Sequence, residues 1–219
     1  MDKIKAAFAG KKANIGYIVA GYPSPAHTKE FLSNLDESAI DLLEIGIPYS
    51  DPLADGPEIF KASFSAVQNG VNAGTVFEIL KEVQTRKPLV FLVYYNVIFA
   101  YGAREFVAQA ARYGISGLII PDLPYEENEE IFALCEESGI ALIPLISVTS
   151  EHRATRVLSR ARGFIYGVGA IGVTGSKQTP ISRLKNMVAD LKKMSDLPVA
   201  IGFGIRTAGD VRATKEYAD

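Results

Sequence analysis

The sequence predicts an α/β fold of the TIM (β/α)8 barrel type, with the eighth βα unit absent from its 219 residues, and three observations carry that prediction. Seven short apolar runs alternate with longer amphipathic stretches, the pattern of parallel strands buried on both faces and covered by helices. No linker-like or low-complexity tract interrupts them, so residues 1–219 read as one barrel domain, incomplete at its C-terminal end. The turn after the first run, Gly21-Tyr22-Pro23-Ser24-Pro25, lacks the Gly-x-Gly-x-x-Gly spacing of a doubly wound dinucleotide fold, which favours the closed barrel.

The elements follow in order. Met1 to Gly10 resembles a short amphipathic helix. Asn14–Ala20, rich in Ile, Val and Tyr, is a strand, and Leu42–Ile47, closed by Pro48, is the second. Leu89–Tyr94, entered through Pro88, and Gly117–Ile120, closed by Pro121, are the third and fourth. Ala141–Ile146, Phe164–Val168 and Pro198–Gly202 complete the seven. Between them Glu30–Leu35, Thr75–Gln84, Glu105–Tyr113, Glu126–Glu137, Ser150–Ser159 and Pro180–Met194 place apolar residues at three- and four-residue spacing. Gly114 and Gly139 stand where a left-handed residue would stop a helix.

Composition narrows the function. Hydrophobic residues make up 48% and charged residues 22%, ordinary for a globular protein. A net charge of −2 and a pI near 5.8 give no footprint for nucleic acid or an anionic membrane. The single cysteine, Cys135, leaves no internal disulfide and no Cys-based metal site, and His27 and His152 lie far apart in sequence. The N-terminus lacks the apolar core of a signal peptide and no run reaches membrane-spanning length, so a cytoplasmic protein is expected.

Barrels carry their chemistry on the loops after the strands. The second strand ends in Leu43-Glu44-Ile45-Gly46-Ile47-Pro48-Tyr49-Ser50-Asp51-Pro52-Leu53-Ala54-Asp55-Gly56-Pro57. Glu44 lies inside an apolar strand, where an ionised carboxylate is costly unless paired or protonated. Desolvation would raise its pKa and suit it to acid–base work near neutral pH; a structural ion pair is the equally open alternative. Asp55 follows in a loop stiffened by Pro48, Pro52 and Pro57, which can hold a carboxylate over the barrel mouth or simply form a turn. Asp51 can cap or brace the same loop.

The segment from Leu43 to Gly56 resembles the signature of the tryptophan synthase alpha family. The likeness extends through Ala20-Gly21-Tyr22-Pro23, Tyr94-Tyr95-Asn96, Pro121-Asp122-Leu123-Pro124, Gly172-Val173-Thr174-Gly175 and Gly202-Phe203-Gly204-Ile205, each at a strand end. Each piece is weak alone; in this order they are specific. The resemblance implies retro-aldol cleavage of indole-3-glycerol phosphate to indole and glyceraldehyde-3-phosphate, with no cofactor or metal in this chain. It assigns Glu44 to proton transfer, including delivery to indole C3, and Asp55 to the indole N–H. That chemistry is sound on general grounds: indole leaving as a carbon acid needs protonation at C3, and a fixed carboxylate near N1 stabilises charge that grows in the transition state.

By the same resemblance Tyr166 stands beside the catalytic groups, Thr174 bonds Asp55 on closure, and Gly172, Gly175 and Ser176 belong to a closing loop. Tyr17, Tyr94 and Phe203 form part of the indole pocket, although buried tyrosines at strand ends are also ordinary core. Gly175 and Gly204 match two phosphate-binding glycines. The third part of that site follows the eighth strand, and the chain stops at Glu216-Tyr217-Ala218-Asp219 where that strand should begin. The natural protein is therefore expected to continue by about one strand and one helix, since a barrel lacking a strand has two open edges. Phe60 replaces a glutamine usual in the family.

The implied partner is a pyridoxal-phosphate beta subunit, in an alpha2beta2 complex, which receives indole through a tunnel. Asp122 and the Asp51–Gly56 loop would lie near it; Asp122 also reads as a turn former between Pro121 and Pro124. Three other readings stay open. One is another phosphate-handling barrel enzyme, such as an aldolase or a sugar-phosphate isomerase, although a Schiff-base aldolase needs a strand-end lysine, whereas Lys81, Lys87 and Lys192 fall in helices or loops. A standalone indole-glycerol-phosphate lyase differs only in its independence of a partner. A non-catalytic activator of a beta subunit sits poorly with intact Glu44 and Asp55.

Overall fold

The computed structural model describes residues 3–169, 179–202, 205 and 207–219. Within them the strands are β1 (Ile15–Val19), β2 (Leu42–Gly46), β3 (Leu89–Leu92), β4 (Ile115–Ile119), β5 (Ala141–Leu142), β6 (Leu145–Ser147), β7 (Ile165–Val168) and β8 (Val199–Gly202). All pair parallel in chain order, β1 to β5 in one ladder and β6 to β8 in a second.

The expected continuous strand Ala141–Ile146 is in fact two segments of one stave. β5 pairs with β4 on one side and β6 with β7 on the other. Pro144, between them, has no N–H to donate and restricts the residue before it. Its carbonyl still accepts the Tyr166 N–H at 2.9 Å, while the Ile143 N–H reaches back to the Leu118 carbonyl at 2.9 Å. The handover keeps the wall continuous in space.

The helices among the described residues are α1 (Lys3–Ala7), α2 (Pro25–Ser33), α3 (Pro57–Gln68), α4 (Ala73–Lys81), α5 (Tyr95–Tyr101), α6 (Ala103–Arg112), α7 (Glu129–Ser138), α8 (Ala154–Leu158), α9 (Ile181–Met194) and α10 (Ala208–Thr214). Local chemistry sets their ends. Ser24 caps α2, and α4 opens with a reciprocal Asn72–Thr75 capping box. Gly139, at φ 69°, ends α7 in the left-handed conformation expected of it. α1 falls within the helix expected at Met1 to Gly10, six more fall where the apolar spacing puts them, with shifted ends, and that spacing does not mark α3, α5 or α10.

Alternation along the strands divides the core into two layers. Leu43, Ile45, Phe91 and Leu118 face outward and pack with Leu32, Phe77, Leu80 and Phe106 of the helices. Leu42, Val90, Leu92, Ile119, Phe164 and Tyr166 face the barrel interior, where Ile4 and Phe8 close the end nearest α1, with Phe8 and Phe164 rings 5.6 Å apart. A fully buried side chain such as Phe91 contributes roughly 2–3 kcal/mol through this burial.

The wall has one seam. β1 and β8 do not pair, and every residue of β1 is only half-buried, whereas every residue of β2 is buried. Among the described residues Asp219 bridges β8 and the segment just before β1. Its carbonyl accepts the Ala13 N–H at 2.7 Å and its N–H reaches the Val199 carbonyl at 2.8 Å.

Candidate active site

Glu44 lies on the inner face of β2, one inward position above Leu42 and one below Gly46. Tyr17 of β1 and Val90 of β3 are its lateral neighbours. The side chain is 5% exposed and makes no hydrogen bond or ion pair among the described residues. That decides against a structural ion pair. Burial alone pushes its carboxyl up to about 8, so at neutral pH Glu44 is largely an uncharged acid facing the cavity.

The loop after β2 is held at both ends. At one end, the hydroxyl of Ser63 in α3 accepts the Tyr49 N–H and donates to the Tyr49 carbonyl, each at 2.9 Å. Pro57 starts α3 at its first position, where a missing N–H costs nothing. At the other end, the Tyr94 hydroxyl accepts the Ala54 N–H at 3.0 Å and hydrogen-bonds the neighbouring Asp55 carboxyl. The Tyr94 ring is steadied by Tyr49, with ring centroids 5.3 Å apart. Asp55, half-buried, has its carboxyl raised by desolvation, against which the Tyr94 hydrogen bond works. Asp51 is exposed and takes a hydrogen bond from Ser50 at 2.5 Å.

Glu44, Asp55, Tyr17 and Tyr166 line one cavity of about 330 Å³. The remaining wall is aliphatic, with Ile15, Leu92 and Ile201 prominent. A few polar groups converging in an apolar cavity of this size is the usual form of a small-molecule site. Tyr17 and Tyr166 lie within their strands rather than at the ends, and each reaches across to the next strand. A β-carbon on Gly46 would stand 2.2 Å from the Tyr17 hydroxyl, and one on Gly202 would stand 1.8 Å from that of Tyr166. These glycines are part of the site because only they leave room for the rings. Sequence reading missed that role for both, since it depends on cross-strand register.

Tyr94 stands behind Asp55 rather than on the cavity wall. Asp122 accepts the Tyr95 N–H at 2.8 Å, bracing the first turn of α5, a structural task within the turn expected there. Phe60 is exposed and stacks on Phe64 at 5.9 Å, so it continues an aromatic face of α3. Thr174, Gly175, Phe203 and Gly204, with Gly172 and Ser176, lie outside the described residues.

The barrel that carries this site has close counterparts. Residues 4–219 match the family model described as tryptophan synthase alpha chain. The chain belongs to the tryptophan synthase alpha chain family. A relative from Campylobacter jejuni with that name is 43% identical over 213 residues, covering 97% of this chain and 86% of the relative. One from Petrotoga mobilis is 44% identical over 222 residues, covering 100% and 86%. Among solved structures, the alpha subunit from Campylobacter jejuni superposes with a TM-score of 0.88 at 43% identity, over 97% of this chain and 86% of that one. A tryptophan synthase from Mycobacterium tuberculosis gives 0.89 at 31% identity, over 99% and 84%. The family likeness that Leu43 to Gly56 suggested therefore holds over almost the whole chain, and the fold is the TIM barrel. Membership makes the protein a lyase of tryptophan biosynthesis, carrying out the alpha reaction. No helix among the described residues is long and apolar enough to cross a membrane.

Proposed function

We propose that this chain cleaves indole-3-glycerol phosphate to indole and glyceraldehyde-3-phosphate, with Glu44 and Asp55 as the catalytic residues. The observation that carries the reading is a pair of carboxyls in one apolar cavity: Glu44, which burial pushes up to about 8, and Asp55, half-buried, where a hydrogen bond from Tyr94 works against a smaller upward shift.

In this reading Glu44 delivers its proton to C3 of the indole ring. The bond from C3 to the adjacent glycerol carbon then breaks, and the carboxylate left on Glu44 takes the proton of the hydroxyl on that carbon, which becomes the aldehyde. One proton is gained at C3 and one lost at oxygen, so no water, oxidant or reductant is consumed. Protonation at C3 places positive charge on the ring nitrogen, and ionised Asp55 stabilises it by accepting the N–H hydrogen bond. Burial raises Glu44 further than Asp55, which the Tyr94 hydrogen bond restrains, so the two can divide acid and electrostatic roles in this way. Tyr17, Tyr166 and the aliphatic wall give the indole an apolar, water-poor seat, and the chain itself supplies every group these steps need.

The reading extends to a pyridoxal-phosphate beta subunit as partner, in an alpha2beta2 assembly in the cytoplasm that receives the indole. Exposed apolar side chains on the segments following β2 and β3 support it: Leu53 is 74% exposed and Phe99 70%. The test is product identification. Purified protein incubated with indole-3-glycerol phosphate should release indole and glyceraldehyde-3-phosphate in equal amounts, faster when a beta subunit is added. Absence of both products under either condition would refute the assignment.

A further inference from the structure

Tyr17 does more in this cavity than fill it. It stands directly beside Glu44 on the neighbouring strand, and its ring crosses to β2, where the hydroxyl occupies the space above Gly46. A β-carbon there would be 2.2 Å from the hydroxyl oxygen and 2.8 Å from Cζ, so no other residue type fits without moving the ring. Gly46 is one inward position above Glu44, towards the loop that carries Asp55. The tyrosine therefore lifts its oxygen from the level of Glu44 towards Asp55, and both carboxyls and the ring line the same cavity.

The electrostatics agree with the geometry. After burial, Asp55 is the group that bears most on the Tyr17 hydroxyl, ahead of Glu44 and Tyr94, and all of them keep it protonated. Among the described residues Asp55 shares the cavity with Tyr17 from β1 and Glu44 from β2, and Tyr94 after β3 hydrogen-bonds it. Asp122 acts on Tyr94 from behind, and Tyr166 from β7 faces Glu44 and Tyr17. No lysine, arginine or histidine among the described residues lines the cavity. An ionised Asp55 must therefore find hydrogen-bond donors in place of the water it has lost. Tyr94 accepts the Ala54 N–H and hydrogen-bonds the Asp55 carboxyl.

We propose that the Tyr17 hydroxyl, seated over Gly46, is a positioning group for Asp55, donating to the carboxylate alongside Tyr94 when the acid ionises. This rests on the reading of Asp55 as the residue that stabilises the developing charge on indole. Tyr17 sets the ionisation and aim of that carboxylate, and Gly46 sets Tyr17.

The test is the pH dependence of kcat/KM for indole release by wild type, Tyr17→Phe, Gly46→Ala and the double variant, alongside a ¹³C-carboxyl titration of Asp55. Loss of a donor favours the protonated acid, so in Tyr17→Phe the low-pH limb should move to higher pH by roughly one unit, with the Asp55 carboxyl signal moving with it. Gly46→Ala, which displaces the hydroxyl, should shift the limb the same way, and the double variant should shift it no further than Tyr17→Phe. A tyrosine that only packs would lower the rate and leave the limb and the titration unmoved, which would overturn the proposal. If wild type released no indole, the functional assignment would fail, while the carboxyl titration would still decide the link between Tyr17 and Asp55.

Discussion

Tyr166 lies across the inner face of the barrel with its hydroxyl over Gly202 of the next strand, where a β-carbon would stand 1.8 Å from the oxygen. Tyr166 is 5% exposed and lines the cavity with Glu44. Gly202→Ala should therefore push the ring towards the substrate, cutting kcat/KM at least tenfold and destabilising the fold by about 1–3 kcal/mol, as overpacking does. Trimming the ring should relieve the clash, so Tyr166→Ala should cost less stability in the Gly202→Ala background than in wild type. Urea unfolding of the four proteins measures this coupling.

Glu44 makes stability depend on pH in the direction opposite to a salt-bridged carboxylate. Its folded carboxyl titrates at about 8, against 4.5 for an ordinary glutamate. Below pH 4.5 it is protonated in both states and costs nothing. Between there and pH 8 the unfolded chain ionises while the folded one resists, so stability is lost as pH rises, on the order of 3–5 kcal/mol in full. Glu44→Gln removes that term. The variant should match wild type near pH 5 and be the more stable protein above pH 8, as read by urea midpoints across that range.

The same ionisation should shape catalysis. With Glu44 acting as the acid, kcat/KM should fall on the alkaline side with a midpoint near 8. A profile flat to pH 9.5 would remove Glu44 from the acid role.

How much of this could be read from residues alone differs from place to place. Glu44 stood out because a carboxyl inside an apolar strand is expensive, and the three prolines marked the Asp55 loop as rigid. α5 was hidden because Tyr94-Tyr95-Asn96-Val97-Ile98-Phe99 continues the apolar run of β3 without a break. α3 begins inside what reads as a turn, and the exposed Phe60 and Phe64 blur its apolar stripe. α10 buries no side chain and so shows no stripe at all. The seats of Tyr17 and Tyr166 depend on which glycine lies opposite across a strand pair, and Tyr94 behind Asp55 depends on how the loop folds back. Those are properties of register and loop path, which linear spacing does not encode.

Asp122 offers a separate test of a turn residue. It accepts the first N–H of α5, so Asp122→Ala should cost about 0.5–2 kcal/mol, the usual effect of losing a helix cap. Asp122→Asn, which keeps the acceptor, should restore most of it. Thermal unfolding of the two variants distinguishes this from a purely surface role, which would leave both near wild type.

Single-turnover release of indole decides whether Glu44 and Asp55 together form the proposed reaction centre. Glu44→Gln and Asp55→Asn keep the shape of each side chain and remove its proton chemistry or its charge. Each should slow the chemical step by about 100-fold or more while the folded protein still binds substrate. Release of indole at the wild-type rate by either variant would contradict the account.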